Sequence, residues 1–242
     1  MRSYRELAAI LAGLWLAACG APHQASSSEE VIPEIGPRAF AALRCPGVES
    51  GSACLLVRAG GKTLVFGAPE GAMSALEAIG EPVPDGVFIA TLTPPTLEGV
   101  ARLRNRSWAL GRTVPLSLIG PAGIEVFASS IDEAYARSDA VVYLKARPTG
   151  NFDAALLAPT AVPPSGQVRV FDSGDLTVDA MAAVSGELTF LVRYDGRALQ
   201  VAPCDGAVTP LPGVPLDSEL GCDALSNPAE WPHTAQILFI LH

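Results

Sequence analysis

Histidine is scarce in this chain, with three in 242 residues: His23, His233 and His242. His23 belongs to a polar, serine-rich stretch near the N-terminus, which leaves two imidazoles for the rest of the chain. A hydrolytic centre with two metal ions takes its ligands from imidazole, thiolate and carboxylate groups. Two imidazoles are too few to assemble a histidine-rich centre of that kind.

Several other catalytic signatures are also absent. The sequence has no Gly-x-Ser-x-Gly motif, no phosphate-binding glycine-rich loop, no Cys-x-x-Cys and no His-Glu-x-x-His. These motifs expose a serine nucleophile, cradle phosphates, provide paired thiols or place two zinc ligands on one helix face. The sequence therefore gives no support to the enzyme classes that depend on them.

Basic residues are few: 16 Lys and Arg stand against 25 Asp and Glu, for a formal net charge of −9. Because nucleic-acid binding depends on clustered cations that neutralise phosphates, we expect no nucleic-acid partner. The one basic cluster, residues 102–106, is predicted to be a solvated helix face. Asp172, Asp175 and Asp179 are predicted to be ordinary surface acids, which is the usual place for carboxylates.

An apolar run of signal-peptide length lies at the N-terminus. Residues 7–18 follow two arginines and fall short of the about 20 apolar residues that a membrane-spanning helix needs. The run ends in Leu16-Ala-Ala-Cys19, which resembles the lipobox of bacterial lipoproteins. The resemblance implies a lipoprotein signal peptide over residues 1–18 and a lipidated Cys19, whose acyl chains would form a durable membrane anchor. A plain secretory signal with a chance cysteine at its end is the alternative.

The N-terminal sequence also predicts a cellular location and the domain boundaries. Residue 20 is Gly rather than the Asp associated with inner-membrane retention, so we expect an envelope protein held at the outer membrane and facing the periplasm. Residues 19–36 comprise the lipidated cysteine and a small, polar stretch that predicts a flexible tether. Residues 37–242 have the length of one domain.

Four cysteines remain if Cys19 is lipidated, and an even number in an oxidising compartment favours disulfides. Four cysteines allow three connectivities, of which we favour the local pairs Cys45–Cys54 and Cys204–Cys222. The competing interpretation keeps Cys204 as a metal ligand, since thiolate replaces carboxylate at sites for soft metals.

The pattern of the remaining chain is typical of a mixed α/β domain. Short apolar runs bounded by Gly and Pro predict strands, several of them buried on both faces, and one of these runs is residues 141–144. Helices are predicted over residues 71–79, 96–110 and 122–137. Thr96 is predicted to cap the second helix by accepting a hydrogen bond from an orphan backbone N–H.

Residues 87–99 read as an apolar strand, a turn containing two prolines and the start of a helix. This junction resembles that of the metallo-β-lactamase superfamily, especially its ribonuclease Z-like branch, where the strand leads into the metal motif His-x-His-x-Asp-His. On that pattern the ligand positions fall on Thr91, Thr93, Pro95 and Thr96, and Gly99 matches the glycine that follows. The order of strand, turn, helix and glycine is similar to that of the family, but the residues at the metal-ligand positions differ.

Other segments resemble the family in the same order. Gly67 and Pro69 stand where an Asp-x-Gly motif is expected, and Ser185 stands where the next metal-binding histidine is expected. Cys204 takes the position of a metal-bridging aspartate, or Asp205 does after a slip of one residue, and His242 is a loose match to the last ligand. The resemblance implies an αββα four-layer sandwich of metallo-β-lactamase type.

Threonine hydroxyls are poor zinc ligands and proline has no side-chain donor. The resemblance therefore implies a domain that has lost its metal ligands, with no cofactor, which acts by binding a small molecule or a protein partner rather than by catalysis. One alternative is a metal-dependent hydrolase whose remodelled site uses zinc with Cys204 or Asp205, Glu98 and His242. Another is an envelope structural protein without this fold.

Overall fold

The computed structural model describes residues 39–46, 48, 54–202 and 218–220. The predicted signal peptide, the tether and the predicted lipidation site Cys19 lie outside these residues. The same holds for His242 and for a group of candidate residues near the C-terminus, namely Cys204, Asp205 and Cys222.

The first sheet has six strands in the sequential order β1 to β6. Neighbouring strands are antiparallel from β1 to β3 and parallel from β3 to β6. The strands are β1 (Ala41–Arg44), β2 (Leu55–Ala59), β3 (Lys62–Phe66), β4 (Gly86–Phe88), β5 (Leu116–Gly120) and β6 (Leu157–Ala161). Gly60 and Gly61 form the turn between β2 and β3, both with positive φ, as the Gly-Gly pair predicts.

Helices connect the parallel strands, as such connections require. They are α1 (Ala72–Ala78), α2 (Pro94–Leu97), α3 (Val100–Ala109) and α4 (Ile124–Ala146), with a short 3-10 helix at Phe152–Ala155. Among the described residues, each helix is too short or too polar to cross a membrane.

The strand predicted at residues 141–144 is wrong, because these residues are the last turns of α4. Four consecutive apolar residues carry no period that separates a strand from a helix. No Gly or Pro interrupts the chain between Ile124 and Pro148, so the helix continues through the β-branched pair Val141 and Val142.

The second sheet has five strands in the order β11-β10-β9-β8-β7. Its strands are β7 (Gln167–Asp172), β8 (Leu176–Ala182), β9 (Leu188–Tyr194), β10 (Arg197–Val201) and β11 (Ser218–Leu220). All neighbours are antiparallel except β10 and β11, which are parallel.

The two sheets pack face to face around a shared apolar core. One buried cluster takes residues from both sheets, and three of its aromatic rings, Phe66, Phe88 and Phe190, lie 4.7–5.5 Å apart between centroids. Strand residues that alternate with the core, such as Val65 and Val87, face the opposite side and are also fully buried. This is the side that crossover helices cover in a parallel sheet. The predicted mixed α/β sandwich of two sheets and helices is confirmed.

The strand directions give the first sheet two distinct ends. We call the end at which β3 to β6 finish the upper end and the end at which they begin the lower end. Because β1 is antiparallel to β2 and β2 is antiparallel to β3, β1 also begins at the lower end. The described chain therefore enters the domain at the lower end, at Ala39, and α4 runs downward from the upper end.

Candidate functional site

The predicted ligand positions of the first motif lie together at the upper end, in a segment that we call the threonine turn (residues 91–96). The hydroxyl of Thr96 donates to the backbone oxygens of Thr91 at 2.6 Å and of Thr93 at 2.8 Å. The hydroxyls of Thr91 and Thr93 are 3.0 Å apart, and those of Thr93 and Thr96 are 3.4 Å apart. Thr96 is buried, whereas Thr93 and Pro95 are exposed. The polar groups of the turn thus bond to one another.

The loop after β3 is hydrogen bonded to the threonine turn and to the residues around it. The Gly67 amide donates to the Phe88 oxygen at 2.8 Å, and the Ala68 amide donates to the Thr96 oxygen at 2.9 Å. The Gly99 amide returns to the Ala68 oxygen at 2.7 Å. A Cβ on Gly99 would lie 2.9 Å from the Ala68 oxygen and closer still to that of Pro69. The sequence pattern placed Gly67 and Pro69 in one motif and Gly99 in a later one, and the structure brings all three together.

The third predicted motif reaches the same end from the second sheet. Ser185 is exposed in the turn between β8 and β9, where its hydroxyl lies 3.2 Å from a carboxylate oxygen of Glu187. The Leu188 amide, just after this turn, donates to the Ala90 oxygen at 2.9 Å. One backbone hydrogen bond therefore joins the start of β9 to the residue that precedes the threonine turn.

The prediction that Thr96 caps a helix over residues 96–110 is wrong. The structure splits that segment into α2, which begins at Pro94, and α3, which begins at Val100. Proline suits the first turn of a helix because it needs no amide partner there, so Pro94 moves the helix start upstream. The Thr96 hydroxyl then lies inside the turn and donates to carbonyl oxygens instead of accepting from an amide.

The described residues of the upper end are a poor fit for a metal ion. Within residues 39–46, 48, 54–202 and 218–220, no three His, Cys, Asp or Glu side chains come together as ligands. The turn offers hydroxyls that already hydrogen bond to backbone or to each other, and a neutral hydroxyl is a weak zinc donor. Of the residues in the alternative metal site, the described one is Glu98, an exposed side chain at the end of α2.

Two surface depressions run beside the threonine turn along α3. The smaller, of about 340 Å³, is mainly apolar and is lined by Leu92, Pro94, Leu97, Glu98, Ala101, Phe127 and Ile131. The larger, of about 720 Å³, shares Glu98 and Ala101 with it and adds polar groups, among them Glu70, Arg102, Asn105 and Arg106. Together they form a groove with an apolar part next to the turn and a charged part further along α3.

The basic cluster at residues 102–106 is not a uniformly solvated face, which corrects that prediction. Arg104 is fully buried, and its guanidinium donates to Asp132 at 2.7 Å and to Asp139 at 2.6 Å. Burial alone lowers the pKa of Arg104, but hydrogen bonds to Asp139 and Asp132 hold that pKa above its ordinary value. Arg102 and Arg106 remain exposed on the opposite side of the helix.

A second buried arginine supports the first. Arg112 donates to the backbone oxygens of Val114, Ala154 and Arg104 and to the hydroxyl of Ser107. Burial, followed by the nearby positive charge of Arg104, lowers the pKa of Arg112 to about 10. The sequence indicated Arg104 only as part of the basic cluster and did not indicate Arg112. Arg104 joins α3 to α4, and Arg112 joins α3 to the 3-10 helix.

Asp179 also departs from the prediction that it is an ordinary surface acid. It is 4% exposed on β8 and bonds to Arg169 at 2.8 Å and to Arg193. Burial raises the pKa of Asp179, but hydrogen bonds from Arg169 and Arg193 outweigh it and hold the pKa below its ordinary value. Asp172 and Asp175 are exposed, as predicted.

The structure contains the Cys45–Cys54 disulfide, with Cα atoms 5.4 Å apart. It joins the end of β1 to the start of β2, and the Cys45 amide donates to the Cys54 oxygen at 3.2 Å. The second predicted pair, Cys204–Cys222, lies outside the described residues.

Comparisons with known proteins give structural likeness without sequence likeness. No protein-family profile and no curated protein matches the chain. Human tRNase Z, short form, is 16% identical, with a TM-score of 0.47 over 72% of this chain and 70% of that one. The metallo-β-lactamase fold protein YhfI from Bacillus subtilis is 11% identical, with a TM-score of 0.45 over 68% and 62%. The Rm3 metallo-β-lactamase is 14% identical, with a TM-score of 0.43 over 78% and 71%.

Scores at this level carry no argument about activity. The described architecture consists of two packed sheets, with helices beside the parallel strands of the first. That architecture agrees with the metallo-β-lactamase-type sandwich expected from the sequence motifs.

Proposed function

We propose that this chain is a lipid-anchored protein of the bacterial envelope whose metallo-β-lactamase-like domain has lost its metal ligands and binds a ligand or a protein partner without catalysis. The lipid anchor is attached to Cys19, and the protein is located at the outer membrane, facing the periplasm. No metal cofactor and no nucleic acid take part.

The observation that carries the loss of catalysis is the threonine turn. The Thr96 hydroxyl is held by two backbone oxygens, at 2.6 and 2.8 Å, and the Thr91 and Thr93 hydroxyls pair with each other. A metal would have to break these bonds and would receive neutral hydroxyls in return, whereas zinc binds anionic or imidazole donors. The turn is ordered by its own hydrogen bonds.

The groove beside the turn is the surface that we assign to binding. Ligand sites are commonly concave and apolar, with a few polar groups that fix orientation. The smaller depression is of this kind, and the Arg102 side chain in the larger one has no ion-pair partner among the described residues. The larger depression also contains Glu70 and Glu98, so the groove favours an occupant with an apolar part and a polar part that carries charge.

The proposed loss of the metal site is tested by measuring the metal content of the protein. The full chain, purified from membranes without chelator or histidine tag, is expected to contain no stoichiometric transition metal by mass spectrometry. Added zinc is expected to leave its thermal unfolding temperature unchanged, since a ligand that binds the folded state would raise it.

A stoichiometric ion would contradict the proposal and favour the remodelled hydrolase. In that case Glu98→Gln, Cys204→Ala and His242→Ala would each reduce the metal content, while Glu125→Gln, an exposed acid of α4 outside both depressions, would not. The anchor is tested separately by the mass of the N-terminal peptide, which is expected to be acylated Cys19.

A further inference from the structure

The C-terminal part of α4 extends beyond the sheet at its lower end. The Asp132 carboxylate accepts a hydrogen bond from the amide of Leu157, the first residue of β6, at 3.2 Å. Asp132 therefore marks the level at which the strand begins. The residues of α4 that follow it, 133–146, add about 21 Å of helix at 1.5 Å per residue.

The last turns of this extension are apolar and exposed. Val141, Val142, Tyr143 and Leu144 are 49%, 37%, 39% and 74% exposed, and we call them together with Phe152 the apolar tip. Phe152, which is 36% exposed, packs edge-on against Tyr143 with ring centroids 5.9 Å apart. The tip is thus a compact feature that includes a side chain from outside the helix.

The tip has the pattern of a contact with lipid rather than with a protein groove. A helix that docks into a groove presents apolar anchors at i, i+3, i+4 and i+7, on one face. Residues 141–144 are consecutive, so at about 100° per residue they point to all sides of the helix. A bilayer interface solvates an apolar helix end on every side, which a groove does not.

The charges around the tip fit an anionic surface. Residues 140–152 contain two cations, Lys145 and Arg147, and no acid, in a chain whose formal net charge is −9. Asp139, just before this stretch, is buried and paired with Arg104. Asp153, just after it, is an exposed acid. Apolar side chains flanked by Lys or Arg are typical of segments that lie in the headgroup region of anionic membranes.

The tip lies at the end of the domain at which the described chain begins. The described chain enters at Ala39, at the lower end, where α4 also ends. The 19 residues between Cys19 and Ala39 span at most about 70 Å even when fully extended. An acylated Cys19 would therefore keep the domain within about 70 Å of the bilayer, and the contact made by the tip would decide which end faces the membrane.

We infer that the apolar tip inserts into the headgroup region of the anionic membrane that holds the anchor, so that the lower end rests on the bilayer and the threonine turn faces away from it. This inference rests on the proposed lipid anchor. The inference adds to the anchor a defined orientation of the domain, with its lower end facing the membrane.

The experiment uses the full chain, purified from membranes and placed in vesicles of phosphatidylethanolamine and phosphatidylglycerol. The photoreactive residue p-benzoylphenylalanine replaces Leu144 in one variant. In the matched control it replaces Val184, a fully exposed apolar residue in the turn between β8 and β9 at the upper end. After irradiation, mass spectrometry is expected to find a phospholipid adduct at position 144 and several-fold less at position 184.

Two further measurements sharpen the result. Lys145→Glu combined with Arg147→Glu is expected to reduce the adduct at position 144 several-fold, with unchanged unfolding temperature as the check on folding. Equal adducts at both positions, or a crosslink at position 144 to a second copy of the chain, would overturn the inference. If Cys19 is acylated and position 144 gives no adduct, the inference alone is wrong. If Cys19 carries no acyl chain, the proposed anchor is wrong and the orientation falls with it.

Discussion

Replacing Arg104 with Met should destabilise the domain far more than the same change at Arg106, two residues along α3. Arg104 is fully buried between Asp132 and Asp139, whereas the Arg106 ion pair with Glu77 has side chains that are 51% and 32% exposed. Removing one partner of a buried ion pair leaves an uncompensated charge and costs about 3–5 kcal/mol. Losing an exposed pair costs about 0–1 kcal/mol.

Urea unfolding followed by circular dichroism measures both variants, and the difference between them should be at least about 2 kcal/mol in the free energy of unfolding. Methionine keeps the length and apolar character of the arginine stem, so the two substitutions differ mainly in the burial of the charge. Equal losses at positions 104 and 106 would refute the reasoning, because burial would then contribute nothing.

A double variant separates charge from packing. Arg104→Met combined with Asp139→Leu removes the more deeply buried of the two ion pairs of Arg104, and it leaves Asp132, which is 20% exposed and still accepts from the Leu157 amide. Replacing a buried pair with apolar side chains is often close to neutral. The double variant should therefore be more stable than the sum of the two single losses predicts, with a coupling energy of about 1–3 kcal/mol. Strict additivity would mean that the loss at Arg104 comes from a cavity or from Asp132 rather than from the stranded Asp139 carboxylate.

Three further predictions concern the upper end and the second sheet. Gly99→Ala should lower the free energy of unfolding by about 1–3 kcal/mol in urea, because its Cβ would overlap the backbone around Pro69; an unchanged value would show that the loop yields. Thr96→Val should lower it by about 1–3 kcal/mol, because it removes the only hydroxyl that donates to the Thr91 oxygen among the described residues, whereas Thr93→Val, on the surface, should change it less. Asp179→Asn should destabilise the domain at pH 7 and progressively less as the pH falls below about 3.9. The folded pKa of Asp179 is lowered, so its contribution is present above the unfolded value of about 3.9 and is lost as pH falls through the folded value; a loss independent of pH would contradict this.

The upper end could be predicted from sequence order, since each of its parts is local. The strand, the paired prolines and Gly99 follow one another within residues 87–99, and each has a backbone reason to be there. The hydrogen bond between Leu188 and Ala90 could not be predicted from spacing alone. It joins two sheets, and its partners are far apart in the chain.

The buried arginine was missed although the sequence contained a signal for it. The buried residues of α3 are Val100, Leu103, Arg104, Ser107 and Trp108, which follow the helical spacing i, i+3, i+4, i+7 and i+8. A helical reading of residues 100–109 therefore places Arg104 on the apolar face. Its charge led to the opposite interpretation, because an arginine is rarely fully buried unless it is paired. The partners are on α4, about 30 residues away, and no local pattern identifies them.

The apolar run at 141–144 is a second case in which a local pattern did not predict the environment of the side chains. Composition identified it as apolar, and a buried strand was the natural interpretation of an apolar run. The structure instead ends α4 there and leaves these side chains exposed. Exposure is set by where the rest of the chain packs, which a local pattern does not contain. The residue types were read correctly, and their environment was not.

The hydrogen bonding of the threonine turn has a physical explanation that agrees with the proposed loss of metal ligands. A loop that carries metal ligands keeps several polar groups aimed at one point, and without the ion those groups need other partners, because buried polar groups left unpaired are costly. In this chain the Thr96 hydroxyl bonds to two backbone oxygens of its own turn, and the Ala68 amide bonds to the Thr96 oxygen. The turn is therefore complete as a hydrogen-bonded unit. Replacing Thr91 with histidine would add one ligand but would leave the other hydroxyls in their hydrogen bonds, so this single substitution should not produce metal binding. Metal binding would require the local hydrogen bonds to be dismantled together.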